Sequence, residues 1–203
     1  MTTPRHAFMQ SLRPSITLGL SLLIVTSLMT SGCKRESAAP QGVVMELVPS
    51  KTEYRLDEKI VLTATITNPG NMTCRLMLLP ELTVHILAVN RDGNPLVQVW
   101  TSRTYLYTFE EFILGNLDQL EPKASKAVNV LGESHAAPGS GVMLDAAPPH
   151  PDKSGLIMRW SIDRPGSYTV TARYVQPVGV HLPPNACQAS SDPVTSTFTV
   201  TQE

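Results

Sequence analysis

From about residue 42 onward, apolar and polar positions alternate with a period of two. In "KIVLTATITN", Ile60, Leu62, Ala64 and Ile66 fall on one side and Thr63, Thr65 and Thr67 on the other. That is the pattern of a strand with one buried face. "SYTVTARYV" sets Tyr168, Val170, Ala172 and Tyr174 on one face, and "PVTSTFTV" does the same with Val194, Phe198 and Val200. "MTCRLMLL", "LTVHILAVN" and "LVQVWTSRTYLYT" are further strand candidates, rich in β-branched or aromatic residues. Turn clusters separate them: "NPGN" at 68–71 and "NRDGNP" at 90–95. Many short strands at such spacing predict an all-β, antiparallel, immunoglobulin-like sandwich over residues 42–203.

The exceptions to the alternation are few. "FEEFILGNLDQL" (109–120) has loose helical spacing, and Gly115 limits it to one or two turns. Residues 132–155 and 177–192 read as long loops. The first exceeds the usual loop length, which leaves three readings: a strand near "GVML", a functional loop, or partial disorder.

The N-terminus follows another pattern. Arg5, His6 and Arg13 precede an uncharged run from Pro14 to Gly32, and Lys34, Arg35 and Glu36 follow it. A basic start, an apolar middle and small residues before a cut make an export signal. An uncleaved membrane helix is the other reading of that run. "MTSGC" at 29–33 resembles the lipobox of bacterial lipoproteins. The resemblance implies that residues 1–32 are removed and that Cys33 carries lipid. Residues 33–41 then form a short tether, and the protein sits in the bacterial cell envelope. Lys34 after Cys33 points to the outer membrane if the host is Gram-negative. Two or more acyl chains on one cysteine anchor stably where a single chain does not.

With Cys33 set aside, Cys74 and Cys187 remain. An even remainder in an exported chain points to one disulfide, with two buried thiols as the alternative.

Composition narrows the field. The chain has 203 residues, 16% of them charged, and a net charge of −1. No basic surface for nucleic acid follows from that balance. The 17 prolines and 12 glycines fit many turns and few helices.

"SKTEYRLDEKIVLTATITNPGN", "LEPKASKAVNV" and "RWSIDRPGSYTVTARY" are similar to stretches of bacterial immunoglobulin-like domains. BsuPI-type proteinase-inhibitor-like and macroglobulin-like domains share the pattern. This chain has Leu56-Asp57 where Pro-Gly is common and Lys123-Ala124 where Gly is common. Tyr168 in "PGSYTV" is a candidate tyrosine-corner residue or an ordinary core tyrosine. Such domains bind many different things, so the resemblance does not assign a role.

Candidate chemistry is sparse. No phosphate-binding loop or nucleophile elbow is present, so an enzyme is not expected. His135, His150 and His181 lie in the two long loops with Asp145, Asp152 and Asp192. Their spacing is too loose for a metal site to be expected, and no cofactor is. His85 sits within a strand and is expected to point outward or to bond to a neighbour. Five of eleven aromatics, Trp100, Tyr105, Tyr107, Phe109 and Phe112, crowd one stretch. Tyr105, Tyr107 and Phe109 alternate, so on a strand they share a face. They form either core or a display surface for an envelope protein or a saccharide. The expected role is a membrane-anchored, non-catalytic interaction module. An extracytoplasmic proteinase inhibitor and a metal-binding envelope protein are the alternatives.

Overall fold

The structure, a computed structural model, describes residues 42–102, 109–134, 141–146, 156–177, 181–188 and 190–202. All of them belong to one compact unit. Cys33, the segment 1–41, Tyr105, Tyr107, His135, His150 and Asp152 lie outside the described residues.

The larger sheet contains Val44–Pro49 (β1), Ile60–Thr67 (β3), Gln98–Ser102 (β7), Ser125–Ser134 (β9), Val142–Ala146 (β10) and Leu156–Ile162 (β11). Its order is β1-β3-β9-β10-β11-β7, and every pair is antiparallel. The second sheet contains Glu53–Arg55 (β2), Val84–Arg91 (β5), Asn94–Pro95 (β6), Gly166–Tyr174 (β12) and Val194–Thr201 (β13), ordered β2-β13-β12-β5-β6. Only its β2–β13 pair runs parallel. Cys74–Met77 (β4) and Leu117–Leu120 (β8) form a separate antiparallel pair.

The period-two pattern decides which side chains are buried. Ile60, Leu62, Ala64 and Ile66 of β3 are buried, while the intervening residues are only partly covered. Tyr168, Val170, Ala172 and Tyr174 of β12 and Phe198 and Val200 of β13 face them across one continuous core. Trp160 and Tyr54 are the largest other fully buried side chains. Tyr54, Tyr168 and Phe198 meet ring to ring, with centroids 5.5 and 5.6 Å apart. The chain is thus an antiparallel, immunoglobulin-like β-sandwich. The Tyr168 hydroxyl donates to the Arg164 carbonyl at 2.6 Å, bonding back to the preceding loop as a tyrosine corner does.

Three stretches sharpen the sequence expectation. "FEEFILGNLDQL" divides into a helix at Phe109–Gly115 (α2) and the strand β8, in which Leu117 and Leu120 are buried and Asp118 and Gln119 exposed. Pro80–Thr83 forms one further helical turn (α1), with Pro at its start as helices favour. The strand near "GVML" is β10.

A second, smaller core lies under α2. Met77, Ile113 and Leu117 are buried there, with Leu79, Leu82, Phe112 and Leu182 packed against them. Cys74 and Cys187 form a disulfide. Beside it, Arg75 accepts from the Cys187 N–H at 2.8 Å and donates its own N–H to Asn185 at 2.9 Å. The bond and this short bridge tie the 181–188 segment to β4.

Antiparallel alternation assigns every strand end to one of two poles. Val44, Thr67, Ser125, Ala146, Leu156 and Ser102 lie at one pole of the larger sheet. Pro49, Ile60, Ser134, Val142, Ile162 and Gln98 lie at the other. The chain therefore comes into the domain at the first pole, where Gly42 bridges to Gln188.

Candidate functional site

The four outer strands of the two main sheets are the places where the fold leaves backbone groups unpaired. Exposed edges invite foreign strands, and proteins usually blunt them with charge, proline or shortness. Three of the four are blunted here. Strand β1 carries exposed Glu46 and ends at Pro49. Strand β2 has three residues, of which Glu53 and Arg55 are exposed. Strand β6 is two residues long and contains Pro95.

The fourth, β7, has none of these devices. Its residues, Gln98, Val99, Trp100, Thr101 and Ser102, include no charge and no proline, and Leu96 and Val97 before it are uncharged as well. Among the described residues its only strand partner is β11. Val97 is 84% exposed, Val99 53% and Trp100 37%. Register explains the difference between the last two. Val99 pairs with Arg159 on the outward side, whereas Trp100 pairs with buried Met158 and so lies on the other side of the sheet.

Next to the edge, the outward face is fixed by one ion pair. Arg159 Nε and Nη2 donate to the two Asp145 carboxylate oxygens at 2.8 and 2.9 Å. The carboxylate raises the Arg159 pKa against a smaller desolvation effect. This two-point contact joins the paired positions of β10 and β11 on the outward face.

The aromatic cluster is split by the fold. Trp100 stands on β7. Phe109 opens α2, so a strand alternation does not run on through it. Phe112 packs into the small core rather than onto the edge. Tyr105 and Tyr107 lie outside the described residues.

The remaining titratable candidates are dispersed. His181 is exposed, and its backbone N–H and Nδ1 both meet Glu110 Oε1, at 3.1 and 3.2 Å. Those bonds lower the Glu110 pKa. Asp145 is engaged with Arg159, and Asp192 is exposed. His85 is placed as expected but is more deeply covered. By register it faces outward opposite Arg173, yet it is only 7% exposed. Burial holds its pKa at about 4; Arg173 lowers it further and the Leu82 carbonyl works the other way. His85 Nδ1 and Arg173 Nε, both buried, have no hydrogen-bond partner. Among the described residues, no three His, Cys, Asp or Glu side chains are grouped to hold a metal. No described helix is long and apolar enough to cross a membrane.

The uncharged edge was not visible as a site in the sequence. "LVQVWTS" reads there as one strand among several, and its edge position depends on a strand order that pattern alone does not supply.

The sequence matches no protein-family model and no curated protein. Among solved structures, the chain is similar to the CARDB domain of a Pyrococcus furiosus protein at 12% identity and a TM-score of 0.31. That match covers 80% of this chain and 99% of the other. It is also similar to the structure of AvmM, which catalyses macrocyclization in alchivemycin A biosynthesis, at 9% identity and a TM-score of 0.31. There it covers 80% of this chain and 90% of the other. At such scores neither likeness carries an argument about this chain, and the fold rests on its own strand order and register.

Proposed function

We propose that the protein is a lipid-anchored protein of the bacterial cell envelope whose sandwich is a non-catalytic interaction module working through β7. The observation that carries the reading is the contrast among the four edges. Three are blunted, and the fourth is uncharged with Val97, Val99 and Trp100 exposed. Such an edge offers main-chain hydrogen bonds for affinity and alternate side chains for selectivity.

The anchor reading rests on "MTSGC". Cys33 lies nine positions before Gly42, a span of at most about 30 Å. Gly42 is at the pole opposite Gln98 and the start of β7. An anchor on Cys33 would hold the first pole toward the lipid and leave Val97 directed away from it, open to a partner.

The test uses the full chain in intact membranes. A photocrosslinking phenylalanine analogue at Val97 should give a discrete protein adduct, and the same analogue at Val44, on the opposite edge, should not. No adduct from position 97 would overturn the working edge. In the same cells, Cys33→Ser should abolish palmitate labelling and leave an unprocessed precursor. A normally processed, labelled product would overturn the anchor.

A further inference from the structure

Resting on the reading of Cys33 as a lipid anchor, we infer that the loops 68–73 and 121–124 form a membrane-contacting face. Met72 enters the surface of the bilayer that carries the anchor, and Lys123 meets the phosphate of its phospholipids. Three neighbouring strands end together at this place. Val44 of β1 pairs with Thr67 of β3, and Thr67 with Ser125 of β9. Gly42, Pro69 and Lys123 each lie two positions beyond those ends. Neighbouring strands are about 5 Å apart, so the end of β1 lies about 5 Å from one loop and about 10 Å from the other. Cys33 is nine positions before Gly42, a span of at most about 30 Å. An anchored domain therefore cannot carry this pole far from the bilayer.

Buried Asn68 shapes both loops. Its Oδ1 accepts the Gly70 N–H at 2.9 Å, and its Nδ2 donates to the Met72 carbonyl at 2.8 Å. Its backbone accepts the Lys123 N–H at 2.9 Å and donates to the Ala124 carbonyl at 3.0 Å. Met72 is held there 55% exposed. An unbranched, adaptable apolar side chain suits the uneven boundary between headgroups and acyl chains. Lys123 is exposed and has a φ of 61°. A lysine kept where glycine would cost less points to a use for its side chain. Glu121 is the one acid in the two loops, and Thr73 and Gln119 both donate to it. One methionine buries too little area to hold a free domain on a membrane. The anchor changes that, because contact becomes intramolecular, at an effective concentration on the order of millimolar.

The experiment places a diazirine-bearing phenylalanine analogue at position 72 of the full chain, in its own membranes, and reads lipid adducts by mass. Position 48 is the control. Val48 is as exposed as Met72, at 56%, but lies toward the other pole. The expected result is a lipid adduct from position 72 and none from position 48. Lys123→Gly relieves the backbone at that turn, so the variant folds, and it should lower the adduct from position 72 at least about threefold. No lipid adduct from position 72, equal adducts from both positions, or a yield indifferent to Lys123→Gly overturns the inference. Palmitate labelling of the same cells separates this inference from the anchor. If Cys33 is labelled and position 72 gives no lipid adduct, the anchor stands and the membrane-contacting face fails. If position 72 gives the adduct without labelling, the face stands and the lipid anchor fails. With neither, both fail.

Discussion

Three residues show how local backbone demands shape this domain. Asp57 and Lys123 adopt positive φ, 72° and 61°. Glycine adopts that conformation at least cost, so both turns are built without the residue best suited to them. Asp57 has a use for its side chain, since its Oδ1 accepts the Gly141 N–H at 2.7 Å. Lys123 is exposed and holds only the Pro69 carbonyl. Lys123→Gly should therefore raise stability by about 0.5–1 kcal/mol, measured by denaturant unfolding. Gly141 is the opposite case. Its φ is +74°, and a Cβ there would lie 2.1 Å from the Ile162 carbonyl oxygen. Gly141→Ala should cost about 3 kcal/mol or more, because backbone rather than a side chain must move. His85 ties stability to pH. Its folded pKa is about 4 and its ordinary value 6.5. The unfolded chain thus takes up the proton first as pH falls. The stability from a neutral His85 is complete above pH 6.5 and declines toward pH 4, by about 3 kcal/mol in all. Thermal melts of His85→Gln across that window should be flatter than those of the parent chain. Equal slopes would mean that the ring is not buried.

Among the elements, those with clean period-two patterns were legible in the sequence. Strands β3, β12 and β13 bury the faces that alternation assigns, because a sandwich strand has one wet side and one dry side. The strand β10 was one of the readings open near "GVML", and the disulfide was anticipated from the cysteine count. The pieces that escaped are those whose state is set by packing. Leu117 and Leu120 fit a loose helical spacing, but pairing with β4 makes them a strand. Phe112, for which core and display were both open, packs against the small core beneath α2. His85 faces outward and bonds to the Leu82 carbonyl as expected; what escaped is its burial and that its Nδ1 has no partner among the described residues. The disulfide gives this layer its own prediction. It closes a separation of 113 residues, for which chain entropy implies about 4–5 kcal/mol. The double substitution Cys74→Ser with Cys187→Ser should lower the melting temperature markedly. It should also open the 181–188 segment to protease before the rest of the domain. Simultaneous cleavage throughout would contradict the local role assigned to the bond.

For the molecule as a whole, the fold brings out a surface that no residue announces alone. Four edges flank the two main sheets; three carry the usual guards against pairing, and β7 does not. The strand order that makes β7 an edge depends on contacts far apart in sequence, such as Met158 with Trp100, which explains why "LVQVWTS" revealed nothing of the kind by itself. Gly42, the first described residue, and the start of β7 lie at opposite poles. The most direct measurement is amide hydrogen exchange of residues 98–102 in the full chain, in its own membranes, compared with Val99→Lys. A partnered β7 predicts slow exchange along the strand in the parent and fast exchange in the variant, with β3 and β12 unchanged in both. Equally fast exchange of β7 in parent and variant would contradict the account.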